Sequence, residues 1–284
     1  MIRLLHFSDV HVQLPDWGTR SVRALGPLRK LATVELWKGR GRLFEGAAAT
    51  VRRIVRDAET LGADHVVLTG DLTQLGHPEE FALAREALGP LAADAARFTT
   101  LPGNHDRYPI EGGPNRLFEH HFPEQTGSDL PVEASGGLRV RLLGDEAALI
   151  VVDSAGAKSW PVWSSGHVTA RSLRALEGAL RAPQLTGRCK LVLVHHTPTR
   201  RGALRDWPLH DLRGASALLR VAAEGGAEAI LCGHVHERFD DPPRPGRPRV
   251  ICAGASAELG DEGYWDLRIA GGRIESATAR RPGY

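Results

Sequence analysis

Short apolar runs that recur along the whole chain most constrain what this sequence can fold into. Each run is flanked by turn-forming residues, a pattern that is typical of buried strands. We expect each run to form one strand in the interior. The runs are IRLLHF, HVVLTG, RFTTLPG, ALIVVDS, KLVLVHH, AILCGH and RVICAG.

Helical patterns separate several of these runs. Residues 43–61 place apolar side chains on one helical face and charged ones on the other, and weaker versions occur at 79–91, 169–180 and 212–223. Alternating strands and helices favour an α/β layered domain. Residues 264–278 instead predict a β-hairpin that turns at Gly271 and Gly272.

The composition is that of a globular protein with a core that needs no disulfide support. Hydrophobic residues make up 42% of the 284 residues and charged residues 25%. The three cysteines lie beside or inside apolar runs and share no metal-type spacing, so we expect them to be core residues in a reducing compartment. The net charge of +2 indicates no specific nucleic-acid partner.

Targeting and domain organisation are read from the same sequence. No window approaches the length of an apolar membrane span, and the N-terminus turns polar too early for a secretory signal, so we expect a cytoplasmic protein. We expect residues 1–284 to form a single domain. Residues 16–42 form a basic insert with Trp17 and Trp37, and residues 154–167 contain Trp160 and Trp163, so both stretches are candidates to overhang a site.

Metal-competent side chains follow five of the apolar runs. Ligands and catalytic groups collect where strands end, because loops there can converge on one point. We therefore expect the five segments to build one site. The residues are Asp9, His11, Asp71, Asn104, His105, His195, His234 and His236.

The number of donors indicates two metals rather than one. Leaving His105 aside, two aspartates, one asparagine and four histidines supply more oxygen and nitrogen donors than one ion needs from protein. Asp71 is the better candidate for a bridging carboxylate because it stands alone on its loop. Two divalent ions sharing such a bridge can clamp a phosphoryl oxygen and activate water, which predicts phosphoester hydrolysis.

The ordered motifs resemble the calcineurin-like metallophosphoesterase superfamily. They are DVH, GD, GNHD, HH and GHVH, spread over residues 9 to 236. The resemblance implies a four-layer αββα sandwich of two mixed sheets flanked by helices. It also implies a metal-dependent hydrolase, in the first place a phosphodiesterase with a hydroxide activated by two metals.

The same resemblance assigns roles residue by residue. It implies one metal held by Asp9, His11, Asp71 and His236, and a second held by Asp71, Asn104, His195 and His234. The ion is manganese, iron, zinc or cobalt, because a mixed histidine and carboxylate site accepts all of them. His196 would then support the metal ligands or be a structural residue.

The resemblance also implies a general acid for the leaving group. His105 would contact the substrate phosphoryl group and protonate the leaving oxygen, with Asp106 orienting its imidazole.

The GHVH motif raises a question of geometry. If its turn is extended, residues two apart project to the same side. His234 and His236 could then reach neighbouring metals while Val235 points away.

The substrate is left open by the sequence. Arg200 and Arg201 could clamp a substrate phosphate, or belong to a solvated loop.

The basic insert suits an anionic lipid surface and resembles UDP-2,3-diacylglucosamine pyrophosphatases. This resemblance implies a lipid-linked nucleotide as substrate and peripheral contact with the inner membrane; a plain cap over the site is the alternative. Cyclic-nucleotide and glycerophosphodiester phosphodiesterases share the motifs. A non-catalytic interaction module is a further alternative.

Overall fold

The computed structural model describes residues 1–15, 39–108, 115–132, 138–156 and 164–283. Most of the basic insert, including Trp17 and Trp37, lies outside the described residues, as do Trp160 and Trp163. The expectations that these stretches overhang the site or contact a membrane therefore stay predictions.

Two sheets form the centre of the fold. The first sheet uses β1 (Ile2–Phe7), β2 (His65–Leu68), β3 (Phe98–Thr100), β12 (Tyr264–Ala270) and β13 (Arg273–Arg280). The second uses β4 (Arg139–Leu143), β5 (Ala147–Val152), β7 (Cys189–His196), β9 (Ala229–Gly233), β10 (Arg238–Asp241) and β11 (Arg249–Ala253). The five strands of the first sheet lie in the order β13-β12-β1-β2-β3, and the six of the second in the order β10-β11-β9-β7-β5-β4. Each sheet contains parallel and antiparallel pairs, so both are mixed.

The helices cover the outer faces of these sheets. The described helices are α1 (Gly41–Leu43), α2 (Ala47–Thr60), α3 (Pro78–Leu88), α4 (Leu117–His121), α5 (Ala170–Leu180) and α6 (Ala215–Glu224). The core cluster of the first sheet includes side chains from α2, α3 and α4, and that of the second includes side chains from α5 and α6. None of the described helices is both long and apolar enough to cross a membrane.

Alternation along each strand produces three apolar layers. In β7, Val192 and Val194 face the helices while Leu191 and Leu193 face the other sheet. Successive side chains of a strand point to opposite faces, so an unbroken apolar run fills two layers at once. The layer between the sheets is flanked by two layers between sheet and helices, which confirms the expected αββα sandwich.

The seven apolar runs are all strands, and the hairpin at Gly271 and Gly272 is present as β12 and β13. The predicted helix over residues 212–223 begins later, at Ala215. Leu212–Arg213 form a short strand β8 that pairs with β6 (Gly166–His167). Gly214 separates the two elements at φ +90°, where its hydrogen also leaves room for the Val168 carbonyl.

The cysteines are in the core, as predicted. Cys189, Cys232 and Cys252 are free and fully buried. Burial raises the pKa of the Cys189 thiol to about 12, so this side chain behaves as a small apolar group.

Candidate metal centre

The predicted site residues converge from the edges of both sheets. Strands β1, β2 and β3 are parallel, so their carboxyl ends share one edge and place Asp9, His11, Asp71 and Asn104 together. Strands β7 and β9 are parallel in the second sheet and supply His195 and His234. The site thus lies where two sheet edges meet, not on the edge of one sheet.

The backbone at this junction is unusual. Non-glycine residues rarely adopt positive φ, and each such residue costs free energy unless its surroundings hold it there. Seven do so among the described residues, and five of these are predicted metal ligands: Asp9, His11, Asp71, His234 and His236. The strained backbone is therefore concentrated at the predicted site.

The first group consists of Asp9, His11 and His236. The His11 and His236 Nε2 atoms lie 3.1 Å apart, and Asp9 Oδ1 is 3.9 Å from the former and 3.6 Å from the latter. Asp9 Oδ2 accepts a hydrogen bond from the His234 amide at 2.9 Å. Asp9 Oδ1 is buried and has no hydrogen-bond partner among the described residues. A buried carboxylate oxygen facing two imidazole nitrogens is suited to a divalent cation.

Asp71 lies between this group and the next. Its Oδ1 accepts from the His105 amide at 2.8 Å, which leaves Oδ2 facing the site. Oδ2 is 3.7 Å from His11 Nε2 and 3.4 Å from His195 Nε2. The Asp71 carboxylate therefore contacts both sides of the site, as a bridging ligand would.

The second group consists of Asn104, His195 and His234. The Asn104 Oδ1 atom lies 3.1 Å from His195 Nε2. The other ring nitrogen of His195 donates to the Thr69 carbonyl at 2.8 Å, and His234 Nε2 donates to the His210 carbonyl at 2.9 Å. A carbonyl accepts only, so in the neutral ring each bond fixes the tautomer and leaves the opposite nitrogen with its lone pair.

Close glycines allow the carboxylates to approach the backbone. A Cβ at Gly103 would overlap the Asp71 carboxylate, and one at Gly233 would overlap Asp9 Oδ2 and the Ser8 hydroxyl. Both positions are therefore restricted to glycine by space.

His196 has no free ring nitrogen. Its Nδ1 bonds with the Ser154 hydroxyl at 2.8 Å and its Nε2 donates to the Ser164 carbonyl at 2.8 Å. Although it lies near His195 and His234, both nitrogens are engaged, which fits a structural part for this residue.

His105 is held differently from the expectation. Its Nδ1 donates to the Gln74 carbonyl at 2.7 Å. The Asp106 carboxylate instead accepts from the Leu72, Thr73 and Gly103 amides at 2.9 to 3.1 Å and from the Thr73 hydroxyl. The prediction that Asp106 orients the imidazole is thus wrong. Through these bonds the Asp106 carboxylate instead joins the loop after β2 to the loop after β3. Burial and the charge of Asp71 raise the pKa of Asp106 to about 6.

Arg200 and Arg201 both have acidic partners. Arg200 Nη1 is 3.4 Å from Asp206, and Arg201 lies 2.8 Å from Glu237 and donates to the Arg238 carbonyl. A phosphate clamp formed by these residues stays a prediction, and it would require these ion pairs to open.

The structure adds neighbours that the sequence did not indicate. The Glu258 carboxylate lies 3.4 Å from His236 Nδ1. The Phe44 ring packs against His11 at a centroid distance of 4.7 Å. Arg40 Nη2 lies 3.5 Å from His105 Nε2. None of the three belongs to a motif, and no spacing pattern links them to the ligands.

The electrostatics follow from burial and from the two carboxylates. Burial lowers the pKa of His195, but the Asp71 carboxylate outweighs burial and raises it to about 10. Burial, with the neighbouring histidines, lowers the pKa of His11 and of His234 well below the ordinary value. The neutral His11 and His234 rings keep the lone pair that a metal requires, whereas His195 must release a proton to bind an ion.

The geometry of GHVH also differs from the expectation. His234 has φ +76° and His236 has φ +56°, so the turn is left-handed at both residues rather than extended. Val235 packs against the apolar layer under α5 and α6. The two histidines still lie in different groups, because the turn rather than an extended alternation separates them.

The sequence pattern of the calcineurin-like phosphoesterase family matches residues 2–238. The chain belongs to this family. The predicted superfamily is thereby confirmed. The buried histidine and aspartate groups, together with this membership, identify a divalent metal centre of the family type.

Curated relatives match parts of the chain. It is 29% identical over 202 residues to a probable cyclic nucleotide phosphodiesterase from Rhodococcus erythropolis, covering 69% of this chain and 60% of the relative. It is 28% identical over 175 residues to a glycerophosphodiester phosphodiesterase from Enterobacter lignolyticus, covering 61% and 56%. A cAMP/cGMP dual specificity phosphodiesterase from Mycobacterium tuberculosis is 30% identical over 178 residues, covering 62% and 49%. The match thus spans about half to three fifths of the length of these relatives.

Solved structures share the fold. A dimetal phosphatase from Danio rerio superimposes with a TM-score of 0.64 at 14% identity, covering 99% of both chains. A purple acid phosphatase from Lupinus luteus gives a TM-score of 0.58 at 15% identity, covering 98% of this chain and 53% of that one. These similarities support the architecture alone.

Proposed function

We propose that this protein is a metal-dependent phosphodiesterase that uses two divalent ions. The observation that carries the proposal is the position of Asp71 Oδ2, between His11 Nε2 at 3.7 Å and His195 Nε2 at 3.4 Å. With the first group on one side and the second on the other, this carboxylate can serve two ions at once. The names of the relatives support diesters over other phosphoesters.

Each group offers a donor set suited to an ion of the manganese, iron, zinc or cobalt kind. Asp9, His11 and His236 would hold one ion and Asn104, His195 and His234 the other, with Asp71 between them. When bound, the ions supply Lewis acidity that polarises the phosphoryl group and makes water nucleophilic near neutral pH.

The role of the remaining residues follows from their contacts. His105 is fixed by its amide on Asp71 and by its Nδ1 on Gln74, and its Nε2 lies 3.5 Å from Arg40 Nη2. Because Nδ1 carries the proton donated to the carbonyl, Nε2 offers a lone pair in the neutral ring and a donor only in the imidazolium form. Donation to the leaving oxygen therefore requires the doubly protonated ring.

Cyclic nucleotides and glycerophosphodiesters are the first substrates to test, since two relatives are named for the former and one for the latter. A lipid-linked nucleotide and contact with the membrane rest on residues 16–38, which lie outside the described part of the chain, and no relative named here supports them. The proposed substrate is accordingly a small phosphodiester.

The test is a turnover screen with metal analysis. Protein stripped of metal and reloaded with manganese, iron, zinc or cobalt should bind about two ions and hydrolyse bis(p-nitrophenyl) phosphate. Cyclic nucleotides, glycerophosphodiesters and UDP-diacylglucosamine are then compared by kcat/KM. A protein that binds no metal and turns over none of them would be a non-catalytic module on this fold.

A further inference from the structure

The described end of the basic insert lies against the first group. The Gln13 side-chain amide donates to the Gly41 carbonyl at 2.6 Å, and the Leu259 main-chain amide donates to the Leu43 carbonyl at 2.8 Å. Phe44 is buried against the His11 ring. These contacts fix residues 41–44 beside the site and place the preceding residue, Arg40, at its rim.

Arg40 is directed toward the site and not toward solvent alone. Its Nη2 atom lies 3.5 Å from His105 Nε2, and the side chain is partly buried.

The pair of Arg40 and His105 has a geometry suited to an anion. When His105 is doubly protonated, two nitrogens 3.5 Å apart can both donate to a single oxygen placed beside them. An imidazole nitrogen and a guanidinium attract each other weakly, whereas a phosphoryl oxygen would form a charge-assisted bond with the guanidinium. Guanidinium is also charged at every relevant pH, so its attraction for an anion does not depend on the state of His105.

We infer that Arg40 binds a non-esterified oxygen of the substrate phosphoryl group beside His105. The inference rests on the proposed function and adds a residue that no motif contains. It places the cation that contacts the substrate phosphate at the end of the insert.

The test compares R40A and R40K with R42A. Arg42 is exposed and lies two residues further along the same segment, so R42A controls for the loss of one positive charge there. R40A should lower kcat/KM for bis(p-nitrophenyl) phosphate by about 10- to 100-fold, the size expected for one charged hydrogen bond. R40K keeps the charge without the planar fork and should recover part of this loss.

Binding of inorganic phosphate gives a readout that does not depend on turnover. In metal-loaded protein, calorimetry should show weaker phosphate affinity in R40A and wild-type affinity in R42A. Metal content and melting temperature should match the wild type in both.

Other results would overturn the inference. Equal phosphate affinity in R40A and R42A would exclude Arg40 from the anion contact. Loss of metal in R40A alone would show that Arg40 supports the metal site. If the wild type hydrolyses no diester, the proposed function is wrong, and the phosphate affinities of R40A and R42A still decide the role of Arg40.

Discussion

The two histidine groups on either side of Asp71 are held by different parts of the chain. In the second group, His195 and His234 donate to main-chain carbonyls, those of Thr69 and His210. In the first group, His236 faces the Glu258 carboxylate, and His11 Nδ1 is buried without a hydrogen-bond partner among the described residues.

This difference has a physical consequence. A main-chain carbonyl cannot be removed by a side-chain substitution: that of Thr69 directly follows β2, and that of His210 lies in the turn before β8. A carboxylate partner can be removed, and it raises the basicity of the histidine that it contacts. The second group should therefore hold its ion with little dependence on side chains around it, and the first should depend on Glu258.

The largest effect is expected at the residue that both groups share. Asp71→Asn keeps the size of the side chain but removes the charge facing His11 and His195, so both ions should be weakened. Activity on a diester should fall by about a thousandfold or more, and metal analysis should show fewer than two ions. Asp145→Asn, at a fully exposed carboxylate, is the control. Normal metal content and activity in the Asp71 variant would exclude Asp71 as the bridging ligand.

The next largest effect distinguishes the two metal-binding groups. His236→Ala removes a donor from the first group and His234→Ala one from the second, so each variant should retain about one tightly bound ion of the two. Titration with a chelator, followed by metal analysis, measures this. Loss of both ions in each variant would mean that the two groups are not independent sites.

A smaller effect is expected at the carboxylate partner. Glu258→Gln should weaken the ion of the first group by about 10- to 100-fold, as for other partners of metal-bound histidines. Competition with a metal indicator measures the affinities of the two ions separately. Glu262→Gln, four residues further along the chain, is the control. Equal weakening of both ions would show that Glu258 acts on the whole site.

The smallest effect on metal affinity is expected at His210, whose side chain packs against His234 of the second group. His210→Ala removes the ring that stacks on His234 at a centroid distance of 3.9 Å but leaves the carbonyl that accepts from it. Metal affinity should change less than in Glu258→Gln, as the same indicator assay can show. A larger change would mean that side-chain stacking, and not the main chain, positions His234.

Much of the scaffold could be predicted from local pattern. The apolar runs became strands because their unbroken hydrophobicity suits burial on both faces, and the residues after them became the site. The start of α6 was missed because apolar spacing cannot distinguish Leu212 in a short strand from Leu212 in a first helical turn; Gly214 provides the break.

The site was harder to predict where contacts are long-range. Asp106 follows His105 directly, yet its carboxylate accepts from the Leu72 and Thr73 amides in the loop after β2, a contact that sequence proximity does not indicate. Glu258 and Arg40 approach the site from segments far from any motif.

The sequence by itself determined which residue types stand at the strand ends, and with them the family and the kind of metal centre. The tertiary structure alone decided how these residues meet. It joins the edges of two sheets, turns His234 and His236 left-handed, and gives one group carbonyl partners and the other a carboxylate. The physical reason is that strand formation depends on neighbouring residues, whereas hydrogen-bond partners depend on loops that only the packed sheets bring together.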